Sequence, residues 1–264
     1  MNYEKFKDLF EKDWGYALKP FIESQECDKI YAYLRKRSKE GHIILPDPDR
    51  VWQAFHDCPF SKIRVVVLLQ DPYPWVKNGI AVANGIAMDC SNTGHMQPSL
   101  IKFYEGIEDD LSVPDNKPYR DCNLRYLSEQ GVLLLNTSLT VEKNKPSSHF
   151  DLWKPFMKYL MEDIFAMTFK GLVFILCGKN SEYFERFINP LQHYILKCEH
   201  PAAAEHQLRP WNHNAVFSKT NRILVAGNGY GINWLPILMR NEQQEEQIEE
   251  KYKEEEDNRK NNSG

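Results

Sequence analysis

The sequence has little that would hold a metal, staple a secreted fold or cross a membrane. Its six cysteines, Cys27, Cys58, Cys90, Cys122, Cys177 and Cys198, stand far apart, with no C-x-x-C pair and no cluster of metal-ligand spacing. Reduced, structural thiols are expected, and no metal or other cofactor. The eight histidines, His149, His206 and His213 among them, also lack ligand spacing. No apolar run approaches the roughly 18–20 residues that a membrane span requires. Residues 1–15 carry charge where a secretion signal would be apolar. A cytoplasmic protein is expected, or a nuclear or viral-factory one if the source is not bacterial.

An excess of positive charge is missing too. The net charge of −4 excludes a bulk polycation. Between Arg240 and Gly264 acids outnumber bases by that same margin, which leaves the remaining chain neutral and free to carry a basic face. The segment 240–264 is Glu, Lys, Gln and Asn with almost nothing to bury, and reads as a charged helical or disordered tail that could engage a protein partner. Residues 1–239 show no repeat and no linker, and with 42% hydrophobic content they suffice for one sizeable core.

Four apolar runs are present, each reading as a buried strand: Ile63–Leu69, Gly131–Val141, Gly171–Gly178 and His193–Pro201. Helix-like stretches lie between them, including SLIKFYEGIEDDL, Leu152–Phe165 and SEYFERFI. Strands alternating with helices predict an α/β fold in one domain: a central, mostly parallel four-stranded sheet flanked by helices.

The residues at the strand ends carry the chemistry. The runs end in Asp71, Asn136, Gly178 and His200, and parallel strands place such ends along one edge of the sheet, where α/β proteins bind ligands. Taken singly, each has a plain structural reading. Asp71 in QDPYP serves as a turn acid, Asn136 bonds nearby backbone, and His200 before Pro201 sits on an extended dipeptide as a satisfied side chain. Together they bring an acid, an amide and an imidazole to one place, which independent structural roles explain poorly.

These residues lie in segments that resemble family 1 uracil-DNA glycosylases. VVVLLQDPYP resembles the family's water-activating G-Q-D-P-Y-H, QPSLIKFY its proline-rich P-P-S-L loop, and GVLLLNTSLTV its G-V-L-L-L-N-x-x-L-T-V strand. SSHFDLWKPF, LVFILCG, HPAAAE with VFSKTN, and GINW come after them in the family's order, so the resemblance covers roughly residues 40 to 235. It implies a monofunctional DNA glycosylase that flips a pyrimidine, uracil first, out of single- or double-stranded DNA and hydrolyses its N-glycosidic bond. It implies catalytic roles for Asp71, which would orient water and stabilise a cationic sugar, and for His200, which would bond the departing base at O2. Base binding would fall to Gln70, Tyr73, Met88 and Asn136, with Tyr73 excluding a 5-methyl group. DNA contacts would fall to Pro98, Ser99, Ala202, Leu208 and Arg209. A monomer acting without a cofactor is expected.

Three departures from the family's pattern bear on the base and its extrusion. Pro74 and Trp75 replace the His-Gly that usually follows the tyrosine, as in poxviral members. Met88 aligns with the base-stacking phenylalanine across a short insertion, and Phe103 or Tyr104 could supply a ring instead. Ala204 stands where the family has its wedge leucine, leaving Leu208 or Trp211 as wedge and Arg209 and Lys219 as phosphate contacts. Two other functions therefore stay open: a glycosylase for a hydroxymethylated or glucosylated pyrimidine of phage DNA, acting in antiviral defence, and a catalytically weak DNA-binding or processivity module.

Overall fold

The computed structural model describes residues 14–113 and 119–236; the charged segment 240–264 lies outside the described residues. The four apolar runs form one wholly parallel sheet of β1 (Val65–Leu69), β2 (Val132–Asn136), β3 (Val173–Cys177) and β4 (Tyr194–Cys198). Their order is β2-β1-β3-β4. Every residue of β1, β2 and β3 is buried, whereas in β4, at the edge, Tyr194 and Lys197 are exposed and only Cys198 is buried. Continuous aliphatic runs suit interior parallel strands because helices cover both faces.

The longer helices are α1 (Trp14–Ile22), α2 (Gln25–Lys39), α3 (Pro98–Asp110) and α4 (Phe150–Tyr159). The short α5 (Pro201–His206) and then α6 (Val216–Asn228) follow β4. Strand residues alternate between the two faces. Val66, Leu68, Leu133, Leu135, Phe174 and Leu176 pack with aromatic side chains of α1 and α4, among them Trp14, Trp153 and Phe156. Val65, Val67, Leu69, Val132, Leu134 and Ile175 pack with α3 and α6 through Leu100, Phe103, Ile107 and Phe217. Burying each of these side chains contributes about 1.5–3 kcal/mol, so the sheet is the stiff part of the molecule.

The register decides what the fold presents. Leu69 pairs with Asn136, Leu68 with Leu176, and Cys177 with Cys198, so the strands finish level with one another. The connection from β1 runs to one side, and the chain then returns across β1 to place β3 on the other. That reversal opens a crevice at the carboxyl end of β1.

The second apolar run ends as a strand earlier than its sequence suggests. The Thr137 N–H donates to Leu69 O at 2.8 Å and the Ser138 N–H to Gln70 O at 3.3 Å, drawing the backbone across the end of β1. Val141 then pairs antiparallel with Leu45 instead of continuing the sheet. The helical stretch expected over Leu152–Phe165 begins at Phe150, changes to a π-helical turn over Leu160–Phe165 and runs on to Thr168.

Candidate active site

The crevice holds a pocket of about 380 Å³ lined by residues from separate strand ends: Gln70, Asp71 and Tyr73 after β1, Asn136 at the end of β2, and His200 and Ala202 after β4. Met88 and Ser99 complete one wall. Its backbone frame is fixed from the sheet. The Thr137 hydroxyl donates to Gln70 O at 2.5 Å, and Pro72 and Pro74 restrict the turn beyond it.

Asp71 is half-buried. One carboxylate oxygen accepts the Ser147 N–H at 3.0 Å, and the Gln70 side chain also bonds the group. Burial raises its pKa above the ordinary carboxylate range, while these two hydrogen bonds oppose the rise by favouring the charged form. The Ser147 hydroxyl in turn accepts from Gln70 Nε2 at 3.0 Å and from Asn180 Nδ2 at 3.3 Å. Ser147 adopts a left-handed backbone, φ 62°, which aims its N–H at the acid.

His200 caps the start of α5. Its Nδ1 accepts the Ala202 N–H at 3.2 Å, which leaves Nε2 as the protonated nitrogen of the neutral ring. Burial, with a smaller contribution from His206, lowers its pKa to about 4. The imidazole is thus neutral at pH 7 and carries a single donor. Gly178, φ 84°, sits directly behind it, and a Cβ there would lie 2.9 Å from the Cβ of His200. A side chain at position 178 would push the imidazole out of place.

Tyr73 is held at its hydroxyl, which donates to Met88 O at 3.2 Å and shares a 3.1 Å hydrogen bond with Ser99 Oγ. Burial raises the pKa of the phenol, so it stays neutral. Met88 is buried with a left-handed φ of 67°, an unusual conformation for a residue with a side chain. The neighbouring Asp89 braces it, accepting from the N–H groups of Ser91 at 2.8 Å and Leu124 at 2.7 Å. Asn136 is a largely buried residue that lines the pocket, and its carboxamide makes no hydrogen bond to any described residue. Its donor and acceptor face the open pocket, where they are free to meet a ligand edge.

Other expected contacts lie elsewhere. Leu208 and Arg209 line a separate groove with Lys102, Trp211 and His213. Leu208 is 90% exposed at the tip of the loop after α5 and has a left-handed φ of 51°. Arg209 pairs with Glu199, and Lys219 Nζ donates to Asn214 O at 2.6 Å. Ala204 is buried within α5 against the core, and Trp211 is buried too, its indole donating to Glu199 O at 2.7 Å. Trp211 as the wedge is therefore overturned, because its ring fills the core beside Phe103 and Phe217. Phe103 and Tyr104 are also buried in that core and do not line the pocket, so neither replaces Met88. Pro98 occupies the first turn of α3, outside the pocket lining, and the Ser99 hydroxyl is engaged with Tyr73.

Sequence reasoning missed Ser147, Asp89 and the lining residues Trp75 and His206. The hydrogen bond from Ser147 to Asp71 spans 76 positions, and only the adjacent Pro146 in KPSS hinted at a shaped loop. Among the described residues no group of three or more His, Cys, Asp or Glu could hold a metal, and no helix is long and apolar enough to cross a membrane.

No family model matches the chain. It is similar to curated proteins over most of its length. It is 32% identical over 226 residues to the uracil-DNA glycosylase of Pseudomonas aeruginosa, covering 85% of this chain and 94% of that one. It is 34% identical over 229 residues to the uracil-DNA glycosylase of Alkaliphilus oremlandii, covering 86% and 96%. Among solved structures, the mimivirus uracil-DNA glycosylase superposes with a TM-score of 0.72 at 21% identity, covering 84% of this chain and 86% of that one. The structure from Nitratifractor salsuginis superposes with a TM-score of 0.55 at 20% identity, covering 81% and 89%. The structural likeness speaks for the fold and the sequence identity for the lineage: the chain belongs to the uracil-DNA glycosylase family and is a DNA N-glycosylase.

Proposed function

We propose that the protein excises uracil from DNA by hydrolysis, with Asp71 and His200 acting on opposite charges of one transition state. The observation that carries this reading is the shared pocket: Asp71, Tyr73, Asn136 and His200 all line it. A pyrimidine extruded from the strand would leave its stack at a cost of a few kcal/mol, smallest where it is unpaired or mispaired.

Breaking the N-glycosidic bond develops positive charge on the sugar and negative charge on the departing base. The carboxylate of Asp71, favoured in its ionised form by Ser147 and Gln70, stabilises the first and orients water for attack at the sugar carbon. The Nε2–H of His200 donates to the base oxygen where the second accumulates. A neutral imidazole suits this task because the Ala202 N–H has already set its tautomer. The base thus leaves as an anion with the bonding electron pair and needs no prior protonation; water adds its oxygen to the sugar carbon, and the proton it loses passes to solvent, from which the free base is reprotonated.

Selection rests on two fixed groups. Asn136 offers a donor and an acceptor to the edge of the base and so separates uracil from cytosine. Tyr73 stands beside C5, and its hydroxyl bonds to Met88 and Ser99 keep the ring from swinging away from a 5-methyl group. The same restraint weighs against hydroxymethylated or glucosylated bases. Met88 forms the softer wall that a phenyl ring would otherwise provide. Leu208, exposed at its loop tip, serves as the wedge that holds the vacated stack open.

The test is a panel of oligonucleotides carrying uracil, thymine, 5-hydroxymethyluracil, 5-hydroxymethylcytosine or its glucosylated form, scored for alkali-labile abasic sites. Release from uracil alone supports this reading. Release of a 5-substituted base in preference to uracil overturns it in favour of a defence enzyme, and binding to DNA with no release overturns the catalytic assignment.

A further inference from the structure

One side chain at the pocket mouth is unused by this chemistry. Trp75 follows Tyr73 and Pro74, lines the same pocket and is 41% exposed. The other five tryptophans of the chain, Trp14, Trp52, Trp153, Trp211 and Trp234, are at most 6% exposed. Leaving a large indole open to water forgoes burial that the rest of the molecule exploits at every other tryptophan.

The exposed ring is nonetheless held still. Its Nε1–H donates to Gln97 Oε1 at 2.9 Å, and Gln97 is itself buried and tied by Nε2 to His95 O at 2.7 Å. Trp75 O accepts from the Val82 N–H at 3.2 Å. Between those residues runs a two-residue ladder, Val76–Lys77 with Ile80–Ala81, turned by Asn78 and Gly79, both at positive φ. Asn92 Nδ2 clamps the far side of this hairpin through Ala81 O and Ala83 O. The hairpin corresponds to the short insertion seen in the sequence.

The ring also continues a surface. The centroids of Tyr73 and Trp75 are 5.8 Å apart with 36° between their planes, so the indole extends outward from the wall of the pocket. Lys77, two residues further along the same hairpin and in no ion pair among the described residues, brings a positive charge to this element. A restrained, half-open aromatic next to a base pocket, with a cation nearby, matches what an unpaired base and its phosphate require. Because the ring is fixed in advance, little side-chain freedom is lost on contact.

We infer that Trp75 forms a second, stacking subsite, which receives the unpaired base adjacent in the strand to the nucleotide whose base enters the pocket. This rests on the reading of the pocket as a nucleotide site. The subsite favours single-stranded DNA, since a paired neighbour stays within its own stack. It is indifferent to base identity, because every base presents a π-face.

The test uses tryptophan emission, for which Trp75 is the accessible reporter, and a uracil-free oligothymidylate of about 12 nucleotides, within the range of single-strand site sizes. Oligothymidylate is expected to quench the iodide-accessible part of the emission of the intact protein. Trp75→Phe should bind comparably and lose that quench. Trp75→Ala should bind oligothymidylate about tenfold more weakly, judged by the worth of one stacked base, with a smaller loss for duplex. Unchanged affinity of Trp75→Ala for oligothymidylate, or quenching that persists in Trp75→Phe, overturns the subsite. Both variants remove the donor to Gln97, so melting temperatures within about 2 °C of the parent are required to establish that they fold. Because the probe holds no uracil, a protein that binds it through Trp75 but releases no uracil refutes the proposed reaction and leaves the subsite standing. Uracil release with no effect at Trp75 does the reverse.

Discussion

The two sides of the crevice are built differently. On the β1 side, Asp71 and Tyr73 sit on a turn locked by the end of β2, by prolines and by the Ser147 loop, so their positions derive from the stiffest part of the molecule. On the β4 side, His200 lies between an edge strand and a short helix, and the loop after that helix carries an exposed leucine with a left-handed backbone. Chemistry demands fixed atoms, and insertion into DNA demands a projecting side chain. The departures from the family's pattern fall on both sides, at Pro74, Trp75 and Met88 around the pocket and at Ala204 beyond His200, and the strand-end acid, amide and imidazole are not among them.

The comparison breaks first at the β1 side. Asp71→Asn keeps the shape of the turn and removes the charge that the proposed reaction sets against the sugar. Single-turnover release of uracil should fall on the order of 10²–10³-fold, with DNA affinity measured by anisotropy little changed. A comparable loss of affinity would mean that the acid shapes the DNA surface and does no chemistry.

His200→Ala comes next, with an expected loss of about 10²-fold in the same assay, since one donor to the leaving base disappears. The pH profile carries a sharper signature. A ring that protonates only near pH 4 should leave its contribution to the rate flat from pH 8 to about pH 5. A fall centred near the ordinary histidine value of about 6.5 would contradict the neutral donor.

Leu208→Ala separates the two sides. About a tenfold loss is expected on duplex substrate and little on single strands, because only the duplex must be held open. Equal losses on both would remove Leu208 as the wedge.

The smallest effect concerns stability. His200 and His149 are both lowered by burial to about 4, so between that value and about 6.5 the unfolded chain binds protons that the folded one refuses. The contribution of these two rings should therefore be full above about pH 6.5 and decline as the pH falls toward 4, read as a falling melting temperature, while Asp71 and Asp89, raised by burial, act in the opposite sense. Glu142, held near 2 by Arg37 and Lys145, adds its own loss as the pH falls from the ordinary glutamate range of about 4.3 toward 2. His149→Phe should flatten the first part of that decline, provided the ring fits beside Thr140.

The sheet was legible because interior parallel strands must be apolar on both faces, and four such runs stood out of the sequence. The convergence of Asp71, Asn136 and His200 could be expected from strands sharing a direction. What could not be read was long-range and backbone-borne. The Ser147 N–H reaches Asp71 through a left-handed turn, and any residue has an N–H. Asn136 and Thr137 looked like one continuous strand with Val141 until a cross-link to β1 bent the chain. Ala204 reads in sequence as a missing wedge; in the structure it is buried within α5 against the core, and the exposed leucine lies on the loop beyond, at Leu208. Trp75 carried no sign of its exposure, since hydrophobic residues in sequence resemble those that end up buried.

The central claim is a neutral His200 that offers its Nε2–H to the departing base, and ¹⁵N nuclear magnetic resonance of imidazole-labelled protein reads it directly. The account predicts the Nε2–H tautomer at pH 7 with no protonation of that ring down to about pH 5. An Nδ1–H tautomer, or a ring that titrates near 6.5, would contradict it.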